Sequence, residues 1–383
     1  MGQTNNVDAF FALVRVGLFR HTNITEFTDK YTFENIDWEG VYQLAEEQSL
    51  TGLIADGIDR FKTQVPGFKI SQEWALQFIG SALQLEQQNT AMNSFIAKLF
   101  DEMRATGIYT LLVKGQGLAQ CYERPLWRSC GDVDFFLSDD NYQRAKDYLL
   151  PLASQIEPEE EHKKHFALTI DDWVVELHGS LRCGFSSRVD KELDKIYKDA
   201  FYSGNITSWN NQGTQVFMLG KENNVLYVFV HFLNHFYKGG VGLRQICDWC
   251  RLLWIYRKSL NYSLLESWIR KMGLMSEWKA FGAFVVEFLG MDAKAVPFLN
   301  LDDNANVSHR LKRKAEKIKD FILMSGNMGH NRMTDDAGSK SYLMRKMSSF
   351  GQRVGDLINH VRIFPLDSIR FFPSIVLNGI RQQ

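Results

Sequence analysis

The spacing of apolar residues divides the chain into three stretches. Over residues 7–106 apolar side chains recur every three or four positions, which is the period of amphipathic helices. Residues 107–220 instead contain short, fully apolar or alternating runs that are typical of β-strands. From Lys221 onward the helical period returns. We therefore predict an N-terminal helical domain over residues 1–106, an α/β core over 107–220 and a C-terminal helical domain over 221–383.

The middle stretch predicts a small sheet. Its strand-like runs are separated by glycine-containing or acidic turns and by one amphipathic helical segment, residues 141–150. The pair Asp171-Asp172 fits a two-residue hairpin turn. The predicted strands are Ile108–Val113, Asp132–Leu137, His165–Ile170 and Trp173–His178. The result is an α+β fold, a small mixed β-sheet with helices on one side, flanked by the N-terminal and C-terminal helical domains.

Charge and cysteine content narrow the class of protein. The 383 residues carry 44 basic and 45 acidic side chains, a balance that gives no general attraction to long nucleic acid or to anionic membranes. No segment approaches the ~18 uncharged apolar residues of a membrane span, so we expect no membrane partner. Five cysteines, with no second pair near Cys247 and Cys250, favour buried reduced thiols over a zinc or redox site. We therefore expect a cytoplasmic protein.

Two carboxylates, Asp132 and Asp134, stand two positions apart at the head of an apolar strand. Alternate residues of a strand point to the same face, so both acids project together, about 7 Å apart at the backbone. Like charges held side by side repel each other unless a cation lies between them. The pair therefore predicts a divalent metal site, with a surface Asp-x-Asp at a strand end as the alternative.

A third acid, Glu176, lies in the alternating run Val174–His178. The alternation places Glu176 and His178 on one face of the strand. A glutamate in the middle of such a strand is costly to bury unless it binds something, whereas on an edge strand it would simply face water. Three carboxylates are enough to hold two cations about 4 Å apart, the arrangement used for phosphoryl or nucleotidyl transfer.

Cationic and backbone groups near the acids favour a phosphate ligand. The turn Lys114-Gly115 leads into a helix and offers N–H groups together with one ammonium. Arg128 can grip a phosphate in a bidentate manner, or it can pair with Asp132 or Asp134 and fix their geometry. For His178 the alternative to a site role is a core histidine bonded to a backbone carbonyl.

Two helical pairs have simpler interpretations. His231 and His235 have i, i+4 spacing and could bind zinc, but the glutamate of an HExxH motif is missing, so we favour a packed helix that lines the cleft. Arg244 and Asp248 have the same spacing and predict an intrahelical ion pair.

These residues also form one recognisable arrangement. Lys114-Gly115 is followed by Leu118-Ala119, Tyr122, Pro125, Arg128 and Gly131-Asp132-Val133-Asp134, and the run Val175–His178 comes later. The arrangement resembles an uncharacterised nucleotidyltransferase family that is widespread in bacteria and belongs to the polymerase-beta-like, or minimal nucleotidyltransferase, superfamily. The match covers roughly residues 107–250.

The resemblance implies a metal-dependent enzyme. Asp132 and Asp134 would bind the catalytic ions, two Mg²⁺ with Mn²⁺ as the alternative. Glu176 would complete the set and position or deprotonate the attacking hydroxyl. The resemblance also implies a nucleotide site formed by Lys114, Gly115, Gln116, Arg128 and His178. One departure is that Gln116 follows Gly115 where the superfamily usually has serine or glycine.

The expected reaction transfers a nucleoside monophosphate from a nucleoside triphosphate to a hydroxyl acceptor. The acceptor stays open between a sugar, an aminoglycoside-like molecule, a nucleic-acid end and a protein side chain, and the neutral charge disfavours long nucleic acid. A catalytically inactive nucleotide-binding or regulatory module, similar to a toxin–antitoxin partner, is the alternative. A small-molecule kinase is a third reading, and it would release a nucleoside diphosphate instead of pyrophosphate.

Overall fold

The N-terminal part of the molecule is helical. A computed structural model describes residues 2–20, 22, 24, 36–65, 67–160, 164–184, 186–299, 305–326, 355 and 357–381. The first helices are α1 (Gly2–Leu18), α2 (Trp38–Glu47), α3 (Thr51–Gln64) and α4 (Gln72–Ala105). Asp37 caps α2, since its carboxylate accepts the Gly40 N–H at 3.1 Å. Gly107, at φ +73°, follows the end of α4 and stops that helix.

One mixed sheet of seven strands is present among the described residues. Its strands are β1 (Thr110–Val113), β2 (Asp132–Leu137), β3 (Gln155–Ile156), β4 (His165–Ile170), β5 (Trp173–His178), β6 (Ile206–Asn211) and β7 (Thr214–Leu219). The order is β3-β4-β5-β2-β1-β7-β6, with parallel pairing in β2/β5 and β1/β7 and antiparallel pairing elsewhere. The predicted α+β class is confirmed, and the hairpin β4–β5 has the predicted bounds.

The sheet is larger and better covered than the sequence indicated. The helices between strands are α5 (Gly115–Ala119), α6 (Asp139–Leu149) and α7 (Ser187–Phe201). Phe135 of β2 packs against Phe100 of α4, with ring centroids 5.5 Å apart. Phe136 points the other way and packs against Phe201 of α7, with ring centroids 4.9 Å apart. Helices therefore cover both faces, and the expectation of helices on one side only is wrong. The hairpin β6–β7, which no prediction included, adds two strands.

The C-terminal part is helical, as predicted. Its helices are α8 (Lys221–Lys238), α9 (Leu243–Tyr256), α10 (Tyr262–Met272), α11 (Met275–Glu287), α12 (Ala305–Ser325) and α13 (Pro365–Arg381). The N-terminal and C-terminal helices pack directly on each other. The ring centroid of Phe11, on α1, lies 6.5 Å from that of Phe284, on α11, and 5.5 Å from that of Phe288. The predicted domain boundaries stay a prediction. The polar, glycine-containing run 325–341 is typical of a loop, but its residues 327–341 lie outside the described residues.

Among the helices that the structure describes, none combines the length and apolar character needed to cross a bilayer. All five cysteines are free thiols, and Cys247 and Cys250 are buried in α9. The expectation of buried thiols at that CxxC is therefore confirmed. Burial raises the pKa of the Cys250 thiol to about 12, which disfavours a reactive thiolate.

Candidate active site

The parallel ladder between β2 and β5 brings the three predicted acids together. Asp134 is paired with Glu176 in register, and directly paired residues of neighbouring strands share a face. Asp132 lies two positions before Asp134 and therefore faces the same side. One carboxylate oxygen from each of Asp132, Asp134 and Glu176 lies within 4.8 Å of the others. Three oxygen donors at this separation have the composition that Mg²⁺ prefers.

Asp134 is the buried centre of this cluster, with 1% of its side chain exposed. Its Oδ1 is contacted twice, by Lys114 Nζ at 2.5 Å and by His178 Nε2 at 2.7 Å. Its Oδ2 is buried and has no hydrogen-bond partner among the described residues. A buried carboxylate oxygen without a partner is costly in a folded protein. This oxygen is therefore available to a ligand that the protein itself does not supply.

Burial and neighbouring charges have opposing effects on the pKa of Asp134 and on that of Lys114. Burial raises the pKa of Asp134 above its ordinary value, against the pull of the Lys114 ammonium toward the carboxylate form. Burial also disfavours the charged form of Lys114, but Asp134 and the other acids nearby together outweigh it, and the pKa of that ammonium is raised. Lys114 thus stays a cation next to the acid cluster.

Lys114 reaches Asp134 from an unusual backbone conformation. It lies between β1 and α5 with φ +58°, in the region that disfavours non-glycine residues. Such strain costs on the order of 1–3 kcal/mol and is concentrated at functional sites. The next residue, Gly115, has φ +42°, and a Cβ there would lie 3.3 Å from the Asp132 carbonyl oxygen. The turn therefore needs its glycine and places a lysine over the acids.

Gln116 points elsewhere. Its side chain is buried, and its amide Nε2 donates to Asn89 Oδ1 of α4 at 2.6 Å. The side chain thus ties the turn to α4, and only the backbone of Gln116 stays on the turn that was predicted to hold phosphates.

Glu176 and His178 share the face of β5 with a residue that the sequence reasoning missed, His165 of β4. In the antiparallel hairpin His165 is paired with His178. Both imidazole Nε2 atoms lie 3.3 Å from Glu176 Oε2. Burial alone would raise the pKa of Glu176, but these two hydrogen bonds hold it well below its ordinary value. The predicted Asp171-Asp172 turn already implied this pairing, so a signal for His165 was present.

Arg128 has a partner that neither prediction named. Its guanidinium forms a bidentate pair with Asp248 of α9, Nε to Oδ1 at 3.0 Å and Nη2 to Oδ2 at 2.6 Å. Tyr122 donates to the same Oδ1 at 2.8 Å. The predicted intrahelical pair of Arg244 with Asp248 is wrong, because Asp248 is taken by Arg128 and Arg244 Nη1 donates to the Ser129 carbonyl at 3.0 Å. Binding of a nucleotide by Arg128 stays a prediction.

A cavity of about 310 Å³ separates the acids from α8 and α9. This is the size of a small-molecule site. Among the residues of α8 and α9 that line it, we call the following seven the helical wall: His231, Asn234, His235, Lys238, Arg244, Gln245 and Asp248. Asn234 Oδ1, Arg244 Nε and Gln245 Oε1 are buried without a hydrogen-bond partner among the described residues. The helical wall thus offers unused donors and acceptors to a ligand.

The two histidines of the helical wall are kept neutral. His231 and His235 approach through their Nε2 atoms at 3.2 Å. Burial and the nearby Lys114 ammonium lower the pKa of His235 to about 4 and that of His231 well below its ordinary value. Among the described residues, no third histidine, cysteine or acid joins them in a metal-ligand cluster. Both histidines lie on α8 and line the cavity, as expected for a packed helix at the cleft.

Comparison with known proteins gives one family and one structure. The profile of a family described as "Uncharacterised nucleotidyltransferase" matches residues 34–290, which are 257 of the 383 residues. The chain is similar to a solved structure of an antigenic nucleotidyltransferase-like protein from Paracoccidioides brasiliensis, with 14% identity and a TM-score of 0.30. That similarity covers 48% of this chain and 90% of the other. No curated protein matches.

Proposed function

The chain belongs to the uncharacterised nucleotidyltransferase family, and from that premise we propose that it transfers a nucleoside monophosphate from a nucleoside triphosphate to a hydroxyl acceptor, with divalent metal ions. One observation carries the proposal. Three carboxylates converge within 4.8 Å on a cavity, and one of them keeps a buried oxygen without a partner.

The donor set fits magnesium. Asp132, Asp134 and Glu176 would hold the ions through hard carboxylate oxygens, and Asp134 Oδ2 would gain the partner that it lacks. When bound, Mg²⁺ neutralises phosphate charge and lowers the barrier to displacement at phosphorus. Mn²⁺, with the same preference for oxygen, is the alternative.

The protein's own groups have separate roles in this proposal. Lys114 lies against Asp134 and on the edge of the cavity, so its ammonium can turn to a phosphate oxygen once metal neutralises the acid. Glu176 positions the acceptor hydroxyl. The helical wall, with neutral imidazoles and carboxamides, binds uncharged polar groups of the nucleoside or the acceptor. Burial keeps water from competing, which strengthens every charged contact.

The test is a thermal shift with each of the four nucleoside triphosphates, with and without Mg²⁺, followed by a pyrophosphate assay. A ligand at 100 times its Kd stabilises the folded state by about 2.7 kcal/mol. We expect this Mg²⁺-dependent stabilisation in the native protein and its loss in Asp134→Asn, whose melting temperature without ligand stays nearly unchanged. The matched control is Asp172→Asn, in the exposed β4–β5 turn.

Unaltered nucleotide affinity in Asp134→Asn would contradict the metal assignment. Stabilisation by a triphosphate without pyrophosphate release, in the presence of candidate hydroxyl acceptors, would favour an inactive binding module. Release of a nucleoside diphosphate would indicate a kinase.

A further inference from the structure

We propose that His165, Glu176 and His178 form a second cation site, which takes a borderline divalent transition-metal ion such as Zn²⁺ or Co²⁺. One nitrogen or oxygen donor atom from each of these residues lies within 4.8 Å of the others. The site adjoins the cluster of Asp132, Asp134 and Glu176 and shares only Glu176 with it. It needs neither a nucleotide nor catalytic turnover, so it stands apart from the proposed function.

The distances fit coordination better than strong hydrogen bonding. His165 Nε2 and His178 Nε2 each lie 3.3 Å from Glu176 Oε2. A charge-assisted hydrogen bond between such groups is usually about 2.7–2.9 Å long. Two ligands at about 2.0–2.1 Å from a tetrahedral ion are instead separated by about 3.3–3.4 Å. The two nitrogen–oxygen distances thus already match the separation that a bound ion would impose on its ligands.

The imidazole rings of His165 and His178 present Nε2, the nitrogen that would bind the ion, toward Glu176. The hairpin pairs His165 with His178, and the imidazole centroids lie 4.9 Å apart. His165 Nε2 faces Glu176, and Glu160 Oε1 lies 4.0 Å from Nδ1 on the other side of the ring, which is longer than a hydrogen bond. A small movement would bring this carboxylate to Nδ1, where a hydrogen bond commonly fixes the orientation of a metal-binding imidazole. The site therefore requires no large rearrangement of the hairpin.

The site also opens to the cavity. The exposed fractions of the His165, Glu176 and His178 side chains are 25%, 24% and 13%, and all three line the cavity. Three protein ligands with one open position are typical of catalytic rather than structural zinc sites.

Ligand chemistry decides which ion each site prefers. Two imidazole nitrogens with one carboxylate favour Zn²⁺, Co²⁺ or Fe²⁺, whereas an all-oxygen set favours Mg²⁺ or Mn²⁺. In the structure His178 Nε2 donates to Asp134 Oδ1 at 2.7 Å, so binding of an ion there releases the Nε2 proton to solvent and leaves the imidazole protonated on Nδ1. Lys114 remains on Asp134 Oδ1 and compensates for the lost hydrogen bond.

The experiment is a Co²⁺ titration of the full chain in the absence of nucleotide, followed by visible absorption. Four- or five-coordinate Co²⁺ with imidazole ligands absorbs strongly, whereas octahedral Co²⁺ bound by oxygen absorbs weakly. We expect one equivalent of strongly absorbing Co²⁺ that Zn²⁺ displaces and Mg²⁺ does not. His165→Gln should weaken this binding about 100-fold or more. The control is His309→Gln, in an exposed part of α12, which should bind as the native protein does.

Asp132→Asn separates the two sites, because Asp132 belongs to the oxygen cluster alone. We expect that variant to keep the strong Co²⁺ absorption and to lose Mg²⁺-dependent nucleotide stabilisation, with the reverse pattern in His165→Gln. If His165→Gln does not fold, X-ray absorption of the native zinc complex still counts the imidazoles, and two are expected.

Weak absorption only, unchanged Co²⁺ affinity in folded His165→Gln, or no imidazole around zinc would each overturn the second site. Failure of nucleotide binding with an intact Co²⁺ spectrum would instead contradict only the proposed function.

Discussion

Two buried aspartates line the same cavity from opposite sides, and their surroundings differ in kind. Asp248, on the helical wall, has both oxygens occupied by Arg128, and Tyr122 adds a third bond. Asp134, on the sheet, receives Lys114 and His178 on one oxygen and nothing on the other. Both side chains are less than 5% exposed. The two carboxylates are thus similarly buried, and they differ in whether both oxygens have a hydrogen-bond partner (saturated) or only one does (unsaturated).

The difference distinguishes a structural carboxylate from one that is prepared for a ligand. A saturated buried ion pair holds α9 to the segment before β2, and removing one partner leaves an uncompensated charge. An unsaturated carboxylate beside two further acids leaves room for an external cation. Glu277 of α11 limits the distinction, because it is fully buried, its Oε2 has no hydrogen-bond partner among the described residues, and burial raises its pKa to about 8. It does not line the cavity, so burial and a shifted pKa alone do not make a site.

The largest expected effect is for Asp248, the aspartate whose two oxygens both have hydrogen-bond partners. Asp248→Asn leaves the Arg128 guanidinium buried without its counter-charge, so we expect a loss of about 3–5 kcal/mol in the free energy of unfolding. Urea denaturation measures this loss. Asp134→Asn, compared in EDTA, should lose clearly less, because Asp132 and Glu176 remain as counter-charges for Lys114. Equal losses in the two variants would remove the distinction, and Arg128→Met combined with Asp248→Leu should recover part of the stability.

The neutral histidines of the helical wall predict a pH dependence. The pKa of His235 is about 4 in the folded protein and about 6.5 in the unfolded chain, so the unfolded state binds the proton first. The contribution is complete above pH 6.5 and is lost as the pH falls toward 4, up to about 3 kcal/mol. His235→Asn should flatten the unfolding free energy over that range.

The control for this pH dependence is His309→Asn, on the exposed face of α12, which should keep the native slope. Parallel curves for the native protein and His235→Asn would show that His235 does not carry the effect.

The smallest expected effect is for Lys114, whose ammonium contacts Asp134. Lys114→Met removes the ammonium but leaves His178, so we expect a loss of about 1–3 kcal/mol without metal. Added Mg²⁺ or Mn²⁺ should raise the melting temperature of this variant more than that of the native protein, because metal replaces the missing charge. Lys164→Met breaks the exposed pair with Asp139 and should change stability by at most about 1 kcal/mol. A metal response equal to the native one would contradict this account.

The sequence predicted the acids because their signals are local. Asp132, Asp134 and Glu176 follow from alternation along single strands, and the structure places all three on one face. Alternation does not give the pairing of β2 with β5, which depends on long-range contacts across about 40 residues. The ladder is therefore a finding of the structure.

Other features were missed for different physical reasons. The pair of Arg128 with Asp248 joins positions 120 residues apart, and no local pattern encodes it. The hairpin β6–β7 did have a signal, since Gln212 and Gly213 both have positive φ in a two-residue turn between β-rich runs. Glutamine is an uncommon residue for the first of these positions, which weakened the signal.

The β4–β5 hairpin carries a further consequence for how this protein can evolve. Its two-residue turn sets His165 opposite His178, whereas the acids are aligned by a different ladder, between β2 and β5. A single residue inserted into the turn would shift β4 by one position and turn His165 to the other face together with the buried Phe166 and Leu168, while the β2–β5 ladder keeps all three acids in place. The packing of these two apolar side chains therefore protects the position of His165 against such an insertion during evolution.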